Sequence, residues 1–560
     1  MDFNHYYTNQ ELEQIINDWA TKYSNLVRLA PIGQSYQNRP IWLITITNQK
    51  TGPDIEKPAV WIDANIHATE ITGTTTILHI GHTLLEGYGK DENITRLMDN
   101  SAYYLVPRVN PDGAALALSN PPRYIRSGVR PYPWEQKDEG LHEQDIDGDG
   151  RILQMRIPDP NGDWKISSLD SRLMEKRTPE ERGENFYRLL PEGLIEDFDG
   201  FVIKLARQPE GLDFNRNFPF EWRTEGEQEG SGPYPTSEPE IRALVDFIGK
   251  HPNINLAITY HTFSRAILRP YNTKSDDTME TNDLRVFKKI GEIGTKFTGY
   301  RCVSTFHDFK YHPKEVITGV FDDWIYAHLG IFAYTIEQWD LPDEAGIKDK
   351  KFIEWHKDHP HEEDLQILKW CDEHIGKEAY VDWYKFDHPQ LGKVELGGWD
   401  FMYTWRNPPT NFLGSEVKRN TPLVLAMGNM LPQLSIKSLE VNSLGDGKYK
   451  INLVVENKGF LPTYTSEQGK NRKAVRPVRV ELEIPEEVTL INGKLRQEIG
   501  HLEGRSNKLD VSAIWAFSPT DNRARVEWMF NASRDAEIKV NVLSDRAGAL
   551  HLNIPLAQTP

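Results

Sequence analysis

Cysteine is nearly absent: 2 of 560 residues. Cys302 and Cys371 could form one bridge at most and read as isolated thiols, so no disulfide framework supports the fold. Long apolar runs are lacking as well. A membrane span needs roughly 18 to 20 apolar residues, and the best stretch, 423–427, is bracketed by Pro422 and Gly428. Basic excess is also missing, since 65 Lys plus Arg stand against 83 Asp plus Glu, a formal charge of -18. That balance argues against nucleic acid or an anionic membrane as the main partner. The start, Met1 to Tyr7, has neither the basic nor the apolar stretch of a secretory leader. What is present is 38% hydrophobic residues and 11% aromatics, including 15 Trp spread along the chain, enough for a globular protein with a real core.

From residue 1 to about 432, helix-like and strand-like segments alternate, which predicts an α/β fold with a mixed sheet. Leu12, Ile15, Ile16, Trp19 and Ala20 follow a helical period, whereas 41–44 and 59–62 are short apolar runs of the buried-strand type. Two later runs, 256–260 and 331–336, end abruptly in His261 and Glu337. Strand ends are where α/β proteins build their sites. A Pro-, Gly- and acid-rich stretch at about 130–207 reads as an insertion. Beyond 432 the pattern becomes alternating at Tyr449, Ile451, Leu453 and Val455, and again at Val478, Val480, Leu482 and Ile484, predicting an antiparallel β-sandwich over 433–560.

Within the insertion, Asp145, Asp147 and Asp149 alternate ahead of Gly150, like the first half of a calcium loop. Arg156 stands where an EF-hand requires a bidentate Glu. A calcium site and a pair of Asp-Gly turns both remain open.

His-x-x-Glu occurs at His67/Glu70, His312/Glu315 and His359/Glu362, and with 17 histidines about one match is expected by chance. Context favours the first, which follows a buried run and precedes a helix-starting Thr72-Gly73-Thr74-Thr75. A catalytic zinc usually has three protein ligands, and His261 is the natural third.

These residues belong to an ordered series: Gly33-Gln34-Ser35 with Arg39, His67-Ala68-Thr69-Glu70, Asn110-Pro111-Asp112-Gly113, Arg123 with Arg126, Asn215-Arg216-Asn217, His261-Thr262-Phe263-Ser264, then Asp323-Trp324 and Glu337. In this order the chain resembles the zinc carboxypeptidase (M14 metallopeptidase) family through most of residues 1–432. The resemblance implies one zinc ion on His67, Glu70 and His261, Glu337 as general base, and Arg126 polarising the scissile carbonyl with Arg123 as neighbour. It implies that Asn215 and Arg216 grip the terminal carboxylate of a peptide or protein substrate with a free C-terminus.

Two departures accompany it. The family's mobile Tyr would fall at Glu315, leaving Tyr311 as the nearest substitute, and Asp322 stands where family members place the base of the terminal side-chain pocket. An acid there predicts a preference for a basic or amine-bearing terminal residue. Two other readings stay open: an amidase or peptidoglycan-peptide hydrolase on the same scaffold, and a non-catalytic binding protein. The segment 454–460 resembles sandwich modules of extracellular bacterial enzymes, which points to a supporting role and to an extracytoplasmic location, periplasmic or secreted, with a cytoplasmic one not excluded.

Overall fold

The computed structural model describes residues 1–135, 138–312, 314–348 and 350–556. Its centre is an eight-stranded mixed sheet, in spatial order Val27–Gln34, Pro40–Ile46, Ala102–Val106, Ala59–Ala64, Ile254–Thr262, Phe332–Gln338, Ala266–Arg269 and Arg301–Ser304. The inner strands run parallel and carry the uninterrupted apolar runs: every residue of Ala59–Ala64 and Ile254–Thr262 is buried. Covering helices on both faces make this necessary. One face packs Ile62, Ile258 and Ile336 against the helix Thr72–Gly87, the other packs Trp61 and Ala257 against Pro239–Lys250. The amphipathic first helix, Asn9–Lys22, begins with Thr8 and Glu11 capping each other's backbone and buries Leu12, Ile16 and Trp19.

The insertion is more ordered than its sequence suggests. Gly140–Glu143 pairs with Gly193–Glu196, and a six-stranded antiparallel sheet runs Tyr380–His388, Gly392–Trp399, Gln154–Pro158, Tyr187–Pro191, Trp164–Ile166 and Met174–Lys176. Strands of three to five residues show too few alternations to register as a period. Two of the sheet's strands come from far downstream.

Beyond Pro432 two four-stranded antiparallel sheets face each other across one core, with Ile451, Leu453 and Trp528 from one meeting Val480, Val540 and Ile554 from the other. This region docks on the rest of the chain through backbone-specific contacts. Asp283 accepts the N–H groups of Glu467 and Gln468 at 2.8 and 2.9 Å, and Ser466 donates to the Gly330 carbonyl at 2.6 Å.

Candidate metal centre and substrate cleft

Parallel strands in register bring their carboxyl ends level. Tyr260 pairs with Ala64 on one side, and His261 pairs with Glu337 on the other. The strand Ala59–Ala64 then leads into the turn carrying His67 and Glu70, ahead of the helix Thr72–Gly87. Gly73 permits that helix to sit tightly on the sheet: a Cβ there would lie 2.7 Å from that of Ala64 and 2.9 Å from that of Tyr260.

The turn is held from several directions. Ala68 N–H donates to the Arg126 carbonyl at 3.0 Å, and Asn110 Nδ2 donates to the Ser127 carbonyl at 2.7 Å. A Cβ on Gly113 would meet Ala68 Cβ at 2.7 Å, which explains why Asn110-Pro111-Asp112-Gly113 accompanies the histidine motif. Asp112 in turn accepts from Ser35 Oγ at 2.7 Å and from Gln37 N–H at 2.8 Å, tying in the opening motif.

His67 Nδ1 and His261 Nδ1 lie 3.1 Å apart, and Glu70 places Oε1 2.9 Å from the first and Oε2 2.9 Å from the second. All three side chains are buried. Zinc with ligand bonds of about 2.0–2.1 Å has tetrahedral edges of about 3.3 Å, so these donors fit a zinc ion in both spacing and chemistry. The far ring nitrogens are engaged as such ligands require. His67 Nε2 stands 3.2 Å from Asp213 Oδ1, while His261 Nε2 stands 3.3 Å from Thr259 Oγ1, which donates to buried Asp63 at 2.6 Å. Burial opposes ionisation of Glu70, yet the two imidazoles hold its carboxyl well below the usual range.

Glu337 stands beside this cluster with Oε2 buried and unpartnered. Burial, then the charge of Glu70, push its carboxyl up to about 8, opposed by His261, Arg126 and Arg406. An acid so placed is poised to take and return a proton near neutral pH.

Arg126 donates from Nε to Asp213 at 2.8 Å and reaches Glu70 Oε1 from Nη1 at 3.5 Å, with 40% of its side chain open to the cleft. Asp213, buried but held well below the ordinary carboxylate range by Arg126 and Arg216, therefore orients both a histidine and an arginine. Arg123 pairs with Glu210 at 3.2 Å. Asn215 Oδ1 accepts from Phe321 N–H at 2.9 Å, and Arg216 lies 3.6 Å from Asp213, facing a cavity of about 380 Å³ shared with Tyr311 and Asn272. Tyr311 lines the same cavity as Arg216 and is 53% exposed, with its ring packed edge-on against Phe309.

Asp322 is buried against Asn272, whose Nδ2 donates to it at 3.2 Å, and desolvation raises it to about 6. The side chain lining the cavity at this point is Asn272. Asp145, Asp147 and Asp149 do cluster, but they also accept the N–H groups of Gly148, Gly150, Asp149 and Arg151, as Asx turns do. The other two His-x-x-Glu pairs lie outside the cluster. His312 is at the rim of the Arg216 cavity, and His359 bonds Asp364 at 2.9 Å.

Sequence reasoning missed Asp213, Asp63 and Arg406. Asp213 sits two residues before Asn215 and could have been included with that motif. Asp63 lies in a strand that reads as uniformly apolar. Arg406, whose Nη1 is 3.6 Å from Glu70 Oε1, carries no local signal at all.

Comparison with known proteins places these motifs in context. The family model described as zinc carboxypeptidase matches residues 12–356, and one described as a domain of unknown function matches 433–555. Rat (Rattus norvegicus) carboxypeptidase A2 is 24% identical over 391 residues, covering 64% of this chain and 72% of its own. Carboxypeptidase B of Astacus astacus is 24% identical over 353 residues, covering 60% and 87%. The solved carboxypeptidase A of Helicoverpa armigera aligns over 67% of this chain and 74% of its own, with TM-score 0.39 and 18% identity.

Proposed function

Since the chain belongs to the zinc carboxypeptidase family, we propose that it is a zinc-dependent exopeptidase that removes C-terminal residues from peptides or proteins. The observation that carries this reading is the meeting of His67, Glu70 and His261 within ligand spacing, with Glu337 in register beside His261. Zinc, when bound, supplies Lewis-acid polarisation of water and of the scissile carbonyl. Glu337 accepts the proton of the attacking water and passes it to the leaving amine nitrogen. Arg126, fixed by Asp213, presents a guanidinium where negative charge develops on the carbonyl oxygen, a contact of a kind worth about 3–4 kcal/mol in the barrier.

Arg216 offers a carboxylate a charge-assisted fork at the mouth of the 380 Å³ cavity, with Asn215 beside it, which restricts cleavage to a free C-terminus. Tyr311 lines the same cavity. Glu227, Glu229 and Glu315 line it together with Arg216, Arg223 and Lys310, so the support for a preference for a basic or amine-bearing terminal residue, a diamino acid included, is Asp322 behind Asn272. The acidic loop at Asp145, Asp147 and Asp149 is proposed only as a possible calcium site.

Zinc analysis of the purified protein, combined with digestion of matched peptides ending in Arg, Leu or Glu in free and amidated forms, tests the proposal. Release of a single terminal residue from free but not amidated peptides is expected. Equal or faster release of Leu would overturn the basic preference while leaving the exopeptidase reading intact.

A further inference from the structure

The helix Phe321–Leu329 lies in the part of the chain that matches the zinc carboxypeptidase model, yet its end is completed by residues from the other part. The last carbonyls of any α-helix find no donor within it. Here Gly330, in the left-handed conformation, returns its N–H to the Tyr326 carbonyl at 2.9 Å, and the remaining donors come from beyond residue 432. Gln468 Nε2 donates to the Ala327 carbonyl at 2.8 Å, Arg546 Nη2 to that of Leu329 at 2.6 Å and Ser466 Oγ to that of Gly330 at 2.6 Å. Tyr326 is tied in as well. Its hydroxyl donates at 2.8 Å to Asp283, the carboxylate that accepts the N–H groups of Glu467 and Gln468. The Arg546 side chain is buried, and its guanidinium donates to Leu329 alone among the described residues. Burial lowers it to about 10, so it stays cationic at neutral pH and meets the negative end of the helix.

The opposite end of the same helix builds the cavity beside Arg216. Phe321 N–H donates to Asn215 Oδ1 at 2.9 Å, which ties the first turn to the residue preceding Arg216. Asp323 accepts the N–H of Asn272 at 2.9 and 3.0 Å on its two oxygens, and Asp322 accepts from Asn272 Nδ2 at 3.2 Å. Arg216 and Asn272 both line the cavity. Every residue from Phe321 to Ala327 is buried, so a shift at the capped end is carried through packed side chains to the first turn. The two ends form one rigid connection.

Resting on the carboxypeptidase reading, we propose that Arg546, with Gln468 and Ser466, is a positioning residue for the substrate's terminal residue: by capping the helix Phe321–Leu329 from the C-terminal region, it holds Asn215, Arg216 and Asn272 in place at the other end. The sandwich is thereby a working part of the terminal-residue cavity. Glu337 is insulated from this effect. Its strand, Phe332–Gln338, pairs with Ile254–Thr262 on one side and Ala266–Arg269 on the other, so the base keeps its place beside the metal cluster when the helix loosens. Loss of the cap therefore falls on substrate binding and spares proton transfer.

The test uses the full-length, zinc-loaded protein and a free-acid peptide. Arg546→Gln is expected to raise KM by about tenfold, with kcat within about twofold of the parent and zinc content unchanged. Arg546→Lys keeps a charged donor and should recover part of the loss. Should Arg546→Gln fail to fold, Gln468→Ala removes one partly exposed donor and should give the same split at about threefold. Arg476→Ala breaks a surface ion pair with Asp545, next to Arg546, leaves the helix cap intact and should behave as the parent. Hydrogen exchange read by mass spectrometry should quicken in 321–329 and keep parental protection in 332–338. A parental KM, a loss confined to kcat or to the active fraction, or an equal KM rise in Arg476→Ala would overturn the proposal. Absence of terminal-residue release by the parent is a different result. It refutes the exopeptidase reading, and exchange of 321–329 in the variants then decides the capping by itself, parental exchange overturning it.

Discussion

His261 and Glu337 are register partners on adjacent parallel strands, so a proposed metal ligand and a proposed base are fixed side by side by the backbone hydrogen bonds of the sheet. Their spacing does not depend on a flexible loop. The base cannot drift from the cluster without breaking the strand pairing, and sites built on rigid elements hold their geometry best.

Replacing Glu337 by Gln keeps the shape and removes the proton acceptor. Turnover should fall by about 10³-fold or more, with bound zinc unchanged by elemental analysis. Retention of more than a tenth of parental kcat would remove Glu337 from the role of base.

Glu337 also sets a pH dependence of stability in the zinc-free protein. Its folded carboxyl, raised to about 8, lies above an unfolded value of about 4.3. The stabilisation it offers is fully present below about 4.3 and is lost as pH rises through about 8. Zinc-free Glu337→Gln should therefore gain on the parent between pH 5 and 8.5, by about 4 kcal/mol, in denaturant unfolding with chelator present. A pH-independent difference between the two proteins would contradict this.

Asp213→Asn should loosen two groups at once. It weakens the hold on His67 Nε2 and on Arg126 Nε, so zinc affinity is expected to drop by about 10- to 100-fold, and kcat to fall further than metal loss explains. Competition against a zinc chelator and kinetics at saturating zinc separate the two effects. Unaltered affinity would show that Asp213 does not orient the ligand.

Arg216→Gln should raise KM for free-acid peptides by roughly 100-fold, equivalent to about 3 kcal/mol, and bring them close to their amides. If the parent's discrimination between acid and amide survived the substitution, another group would have to be the carboxylate anchor.

Asp283→Ala leaves the N–H groups of Glu467 and Gln468 and the Tyr326 hydroxyl without their acceptor. A cost of about 3 kcal/mol in global unfolding is expected, with Asp283→Asn recovering part of it. Unchanged unfolding midpoints would mean that this contact contributes little to the docking of the C-terminal sheets.

The residues at the strand ends were legible from sequence because local and global signals coincide there. A buried apolar run stops, and a histidine or a glutamate follows. The sandwich was equally legible, since half-buried antiparallel strands tend to alternate, as Val478–Glu483 does. The insertion's sheet was not, because its strands are short and complete their pairing with residues 380–399. Arg406 was hidden for a related reason. Its importance comes from where a distant turn is pinned, and neither composition nor spacing near position 406 encodes that.

Asn407 hydrogen-bonds the turn at Thr69 and Thr72 across most of the polypeptide's length. During synthesis the histidine motif leaves the ribosome early, but the side chain that ties down its turn arrives only after the whole central sheet has been made. A nascent chain thus carries an incompletely pinned histidine turn until residue 407 has emerged, after every strand of the central sheet.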